Sequence, residues 1–267
     1  MENNACSITF INPDIRLRPY VRYIYILKNH DDIEVLTFPT GCPQIIFHKN
    51  SPLFIPELSV FQDRFTISGQ VNFPAHVASR GVTEMIVVVF HPHTIGPFIQ
   101  TLPSAFYNRE IAGYDLENSD LNEFAARIFD TEDNNICVRI IEKWLLHKLA
   151  SARFDFYSER MEMAIRTLMN DPSEKINALA SKCCLGPKQF NRVFNAHVGM
   201  MPKEYARIVR FQKVLWMLQN DCRDYTEIAL SCGYSDQSHL IREFREFSTL
   251  TPTSIPRPYS SLFSIPS

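Results

Sequence analysis

Seven basic side chains crowd into residues 182–213: Lys182, Lys188, Arg192, Lys203, Arg207, Arg210 and Lys213, against the single acid Glu204. A local surplus of six positive charges suits a polyanion, and duplex DNA is the polyanion whose phosphates such a stripe neutralises. Asn191 and Asn195 lie inside the stripe. Asn amides and an Arg fork match the donor and acceptor pattern of base edges in a major groove. The net charge of −2 for the whole chain hides this patch. Residues 1–157 carry 13 Lys+Arg against 18 Asp+Glu, and residues 158–267 carry 14 against 11.

Other chemistries find less support. His91 and His93 flank a proline and invite a metal, but no nearby Cys or paired carboxylate completes a set of three or four ligands. They read as strand-end histidines. Adjacent Cys183 and Cys184 rarely pair without strain, so they read as small side chains at a helix end rather than as a redox switch. The seven cysteines form no C-x-x-C and suit neither a disulfide framework nor a zinc finger. They read as free thiols of a reducing compartment. No Ser-His-Asp set, reactive-cysteine motif or Gly-rich phosphate loop is present, so neither an enzyme nor a cofactor is expected. The first residues, "MENNACSITF", lack a basic region and a long apolar run. The apolar run "MIVVVF" falls far short of the ~20 residues that span a bilayer. A cytoplasmic location without membrane contact is the expectation.

The elements that must position these side chains fall into blocks. Residues 1–115 are β-rich, with short aromatic and β-branched runs and prolines every few residues, a spacing long helices do not tolerate. "MIVVVF" (Met85–Phe90) is apolar on both faces, as in a central buried strand. A small barrel or sandwich follows, and Tyr23, Tyr25, Phe38, Phe47 and Phe90 are its candidate effector-pocket residues. Residues 116–157 read as two bridging helices, the first with Ser119 as N-cap, and a linker. Residues 158–256 read as helix after helix, and 257–267 as a tail. The fold class is α+β.

The helical block repeats itself. Leu179-Ala180 recurs as Ile228-Ala229 at an offset of 49. Phe190, Arg192, Phe194 and Pro202 recur as Leu240, Arg242, Phe244 and Pro252 at an offset of 50. Two helix–turn–helix units joined by one long helix are implied. Ala180 and Ala229 let the helices of a unit approach, Gly233 supplies a positive φ at the turn, and Ser235 is the expected N-cap. The outward faces carry Lys188, Asn191, Arg192 and Asn195 in the first unit, and Gln237, Ser238, Ile241, Arg242 and Arg245 in the second. Glu243 and Glu246 make the second face less basic. Lys203 and Arg207 are expected on phosphates.

"ALSCGYSDQSHLIREFREF", with "LGPKQFNRVFNAHVGMMPKEYARIVRFQKVLWML" upstream, resembles the AraC/XylS transcription regulators over about 100 residues. The resemblance implies a double helix-turn-helix whose two recognition helices enter adjacent major-groove segments. It departs at Cys184 and Thr249, where the family commonly has Gly, at Gly186 in place of a capping Ser, and at Met201 in place of Ser. "LRPYVRYIYIL", "FPTGCPQIIFH", "ISGQ" and "IVVVFHPHTIGPFI" resemble the cupin-like sensor domain that precedes this module, and the family pattern gives the helices at 119–150 a dimerisation surface. Double-stranded DNA is the implied partner, with RNA polymerase, a small-molecule effector and a second copy of the chain as further candidates. The rival reading is a ligand-binding protein whose helical half is a protein-interaction module; the basic stripe argues against it.

Overall fold

Period-2 alternation splits the apolar run at 85–90 between two cores. The computed structural model describes residues 6–151, 155–220 and 224–255. One antiparallel sheet has the strand order β1 (Cys6–Ile11), β2 (Val21–Asn29), β9 (Thr83–Phe90), β4 (Gln44–His48), β7 (Phe65–Ser68), β10 (Glu110–Ala112). A second runs β3 (Ile33–Thr37), β8 (Ala75–Ser79), β5 (Phe54–Ile55), β6 (Val60–Phe61). Ile86, Val88 and Phe90 point to one face of the larger sheet; Met85, Val87 and Val89 point to the other and meet Leu53 and Val77 of the smaller sheet's side. Successive side chains on a strand face opposite ways, so a strand covered on both faces must be apolar throughout. The two sheets form a sandwich and not a closed barrel.

The outer face of the larger sheet is covered by α1 (Gly96–Ile99), α2 (Ser119–Phe129) and α3 (Asn134–Ser151). Leu121, Phe124, Ala125 and Ile128 repeat at helical spacing along α2 and are buried. Phe124 stacks on Trp144 of α3 at 4.2 Å and takes the edge of Phe47 at 5.5 Å. The N-cap of α2 is Asn118, whose side chain accepts from the Leu121 N–H at 3.2 Å. This corrects the expected Ser119, which begins the helix. Asn and Ser cap about equally well, so the sequence alone allowed either. Phe47 and Phe90 are wholly buried on this helix-covered face and line no space between the sheets. That corrects their expected place in an effector pocket.

The C-terminal half contains α4 (Ser158–Asn170), α5 (Ile176–Lys182), α6 (Pro187–Val198), α7 (Pro202–Asn220), α8 (Tyr225–Ser231) and α9 (Gln237–Ser248). The expected linker falls partly, and the tail at 257–267 wholly, outside the described residues. The repeat is visible in the backbone. Cys184 and Gly233 both take positive φ, as do Gly199 and Thr249. At each equivalent turn one copy uses glycine and the other a side chain. Thr249 is the more strained, because β-branched residues fit the left-handed region poorly. We expect Thr249→Gly to stabilise the protein by about 1 kcal/mol, the order of the left-handed penalty for an L-residue. Chemical denaturation reads this as a raised midpoint; a lowered one would show that the Thr249 hydroxyl bond to the Ser248 carbonyl outweighs the strain.

Candidate nucleic-acid interface

In each repeat the second helix buries one stripe and exposes the other. On α6, Phe190, Val193, Phe194 and Val198 are buried; on α9, Leu240, Glu243, Phe244, Phe247 and Ser248 are. Leu179, Ala180, Ile228 and Ala229 complete the packing below them. Lys188 and Arg192 are exposed on α6, and Asn191 and Asn195 are half-buried beside them. On α9, Gln237, Ser238, Arg242 and Arg245 are exposed. Ile241 is half-buried and packs against the helical core, so it is less outward than expected.

The starts of the two helices differ. Pro187 opens α6, and Gly186 provides no side-chain cap. Asp236 caps α9, accepting from the His239 N–H at 2.7 Å, while Ser235 Oγ donates to its Oδ2 at 3.1 Å. Asp236 therefore replaces the expected Ser235 as N-cap, and Ser235 braces it. Those bonds, led by the His239 N–H, hold the Asp236 carboxyl below its usual range.

The basic stripe is smaller than its count. Lys182 pairs with Glu174. Glu243, almost wholly buried, accepts from Arg207 Nε at 2.9 Å, Arg210 Nε at 2.8 Å and Arg210 Nη2 at 2.7 Å. Arg207 also reaches Glu246 and lies over the Phe247 ring, and Arg210 lies 4.5 Å over the Tyr234 ring. Burial alone would raise the Glu243 carboxyl; the Arg210 and Arg207 guanidiniums hold it below its usual range. Arg207 is thus committed to joining α7 to α9, which departs from its expected phosphate contact. Glu243 does not make the outer face acidic, because it points inward. The signal for this was in the repeat: Glu243 falls on Val193 at the offset of 50, a buried position in the first copy. A carboxylate placed there requires a cation.

Lys188, Arg192, Lys203 and Lys213 remain of the stripe, and with Arg242 and Arg245 on α9 they have no ion pair among the described residues. Lys203 and Arg242 line one cleft of about 570 Å³ between the two units, with His239 on its wall. Lys203 also borders Asn191 in a neighbouring cleft. Lys203 of α7 therefore borders both Arg242 of the second copy and Asn191 of the first.

The remaining candidates lie elsewhere. Tyr25 and Phe38 line a cavity between the sheets. Tyr23 packs against the core between the sheets and meets Phe10 edge-on at 5.5 Å, but does not line that cavity. His91 Nε2 bonds the Arg18 carbonyl oxygen at 3.0 Å, and burial pushes His93 down to about 4. Among the described residues no three His, Cys, Asp or Glu side chains are grouped to hold a metal ion. Cys183 is buried and Cys184 exposed. No described helix is long and apolar enough to cross a membrane.

Comparison with known proteins places both halves. Residues 179–257 match a family described as a helix-turn-helix domain, and residues 9–112 match a domain of unknown function, DUF6597. An uncharacterized HTH-type transcriptional regulator of Haemophilus influenzae is 26% identical over 143 residues, covering 52% of this chain and 48% of that protein. The HTH-type transcriptional activator RhaS of Pectobacterium carotovorum is 30% identical over 124 residues, covering 43% and 44%. The chain spans about half the length of these relatives. Among solved structures, ToxT from Vibrio cholerae O395 aligns over 89% of this chain and 97% of its own, at 9% identity and a TM-score of 0.47. The DNA-binding domain of AdpA, solved with a target DNA, covers 40% of this chain and 94% of its own at 21% identity and a TM-score of 0.35.

Proposed function

We propose that the protein is a one-component transcription regulator of the AraC type, a reading supported by the match of residues 179–257 to a helix-turn-helix domain family. It binds duplex DNA through the outer faces of α6 and α9. The observation that supports this reading is that Lys188 and Arg192 on α6 and Arg242 and Arg245 on α9 are exposed and without ion pairs among the described residues, while the inward Arg207 and Arg210 are neutralised by Glu243. A solvated surface with no polyanionic partner has no need to segregate its cations this way.

Residues 1–115 act as the sensor, 116–157 as a bridge, and 158–256 as the DNA-binding domain. The sensor takes a small-molecule effector, and RNA polymerase and a second copy of the chain are the protein partners. The protein works in the cytoplasm and is not an enzyme.

Lys203, which borders both Arg242 and Asn191, tests the phosphate side of this reading. Lys203→Ala is expected to weaken binding on all duplex sequences alike and to reduce the slope of log K against log salt by about 0.9, one phosphate contact. Fluorescence anisotropy across a salt series measures it. An unchanged slope would remove Lys203 from the contact set.

A further inference from the structure

The two sheets part around a cavity of about 90 Å³. An apolar cavity of ~150 Å³ takes the six heavy atoms of benzene, so this one has room for about four. Its wall is polar on one side. The Glu110 carboxylate on β10 accepts from Ser68 Oγ at 2.8 Å and from Gln62 Nε2 at 3.1 Å. Gln70 follows Ser68 at i+2, where an extended chain returns to the same face. It is only 1% exposed. Its Nε2 donates to the Gly41 carbonyl at 2.9 Å and to the Pro92 carbonyl at 3.5 Å. Two carbonyl neighbours fix which end of the amide is nitrogen. The Oε1 atom is therefore an acceptor, and it is buried without a partner. Buried polar atoms are rarely left so. A carboxyl and an orphan amide oxygen on one small cavity both ask for a donor.

We infer that this cavity binds a compact ammonium or amidinium-type cation of up to about four heavy atoms, its N–H groups on Gln70 Oε1 and the Glu110 carboxylate, and that Gln70 relays occupancy to α7. The relay rests on the regulator reading; the site does not. Gly41, held by Gln70, belongs to the loop at 38–42. Phe38 of that loop meets Phe211 edge-on at 5.7 Å, and Gln212 Nε2 donates to the Pro39 carbonyl at 2.7 Å. A Cβ on Gly41 would stand 3.1 Å from the Tyr205 ring. Phe211, Gln212 and Tyr205 all lie on α7, the helix that joins the two helix-turn-helix units.

Burial pushes the Glu110 carboxyl up to about 7, against the opposing pull of Ser68 and Gln62. A cation needs the ionised form, so its affinity rises about tenfold from pH 6 to pH 8. The other titratable groups on the wall are Tyr25 and Cys42, and Arg22 donates to the Cys42 sulfur at 3.6 Å. His48, behind Gln62 at 2.8 Å, is held neutral because burial lowers it to about 4.

The test is calorimetric titration of the full chain with methylammonium and guanidinium at pH 8, with acetate as the anionic control and tetramethylammonium as a cation without an N–H donor. DNA affinity is then measured with and without the cation. The expected result is saturable heat from methylammonium or guanidinium alone, lost in Gln70→Leu and in the near-isosteric Glu110→Gln. Saturation should change DNA affinity by about fivefold or more in the wild type and not in Gln70→Leu. No saturable heat, or heat unchanged in both variants, overturns the site. Binding without a change in DNA affinity overturns the relay. A chain that binds the cation and no DNA contradicts the regulator reading and leaves the site standing.

Discussion

Glu243→Ala lowers the stability of the protein by about 2–3 kcal/mol, at or just under the range for breaking a fully buried ion pair. The substitution leaves Arg207 and Arg210 facing a hole on α9. Both arginines keep some solvent access, with side chains 28% and 14% exposed, which holds the cost to the lower figure. The cluster is also where α7 meets α9, so the loss loosens the second helix-turn-helix against its linking helix. Denaturant titration measures it, and an unchanged midpoint would show that the pairs contribute nothing net. The pH dependence has a definite sign. The folded carboxyl is held below its usual value, so its stabilisation is present above the unfolded pKa of about 4.3 and is lost as pH falls through the lower folded value. The gap between wild type and Glu243→Ala therefore closes in acid, below about pH 4. Replacing Glu243, Arg207 and Arg210 together by apolar residues should recover much of the loss, because the first copy holds a buried Val193 at the equivalent place.

Arg192→Ala weakens binding to a specific site by about 1–3 kcal/mol, the discrimination of one good bidentate contact. Arg192 is exposed, has no acidic partner among the described residues, and lies one turn from Lys188 and Asn195 on the same face of α6. Its counterpart Arg242 has Ser238 and Arg245 beside it and a half-buried Ile241 where α6 carries Asn191. Arg242→Ala should therefore cost affinity more evenly across sequences. Anisotropy on a selected site and on a random duplex separates the two. Equal loss on both duplexes from Arg192→Ala would move that residue from base reading to phosphate contact.

Much of this was legible in the residues. The repeat at offsets 49 and 50 showed two units and a linking helix, and Gly233 takes the positive φ expected of it. Periodicity also separated the β-rich half from the helical half. It was silent where one residue type serves two surroundings. A strand buried on both faces gives the same pattern whichever face meets helices, so Phe47 and Phe90 were placed beside Tyr25 although they look the other way. Adjacent polar residues at helix starts left the caps one residue off at Ser119 and Ser235. The pairing of Arg207 and Arg210 with Glu243 spans 33 to 36 residues, beyond the reach of any local pattern. The polar cavity wall joins Ser68 to Glu110 only through strand pairing between β7 and β10, 42 residues apart in the chain.

The most direct test is selection of bound duplexes from a fully randomised DNA pool by the full-length chain at physiological salt, followed by sequencing. Two helices reading one DNA face should enrich a bipartite motif with blocks about 10 base pairs apart, centre to centre, and Arg192→Ala should blur one block only. A pool that stays random after repeated rounds, or one that yields a single short block unaffected by Arg192→Ala, would contradict paired reading by α6 and α9.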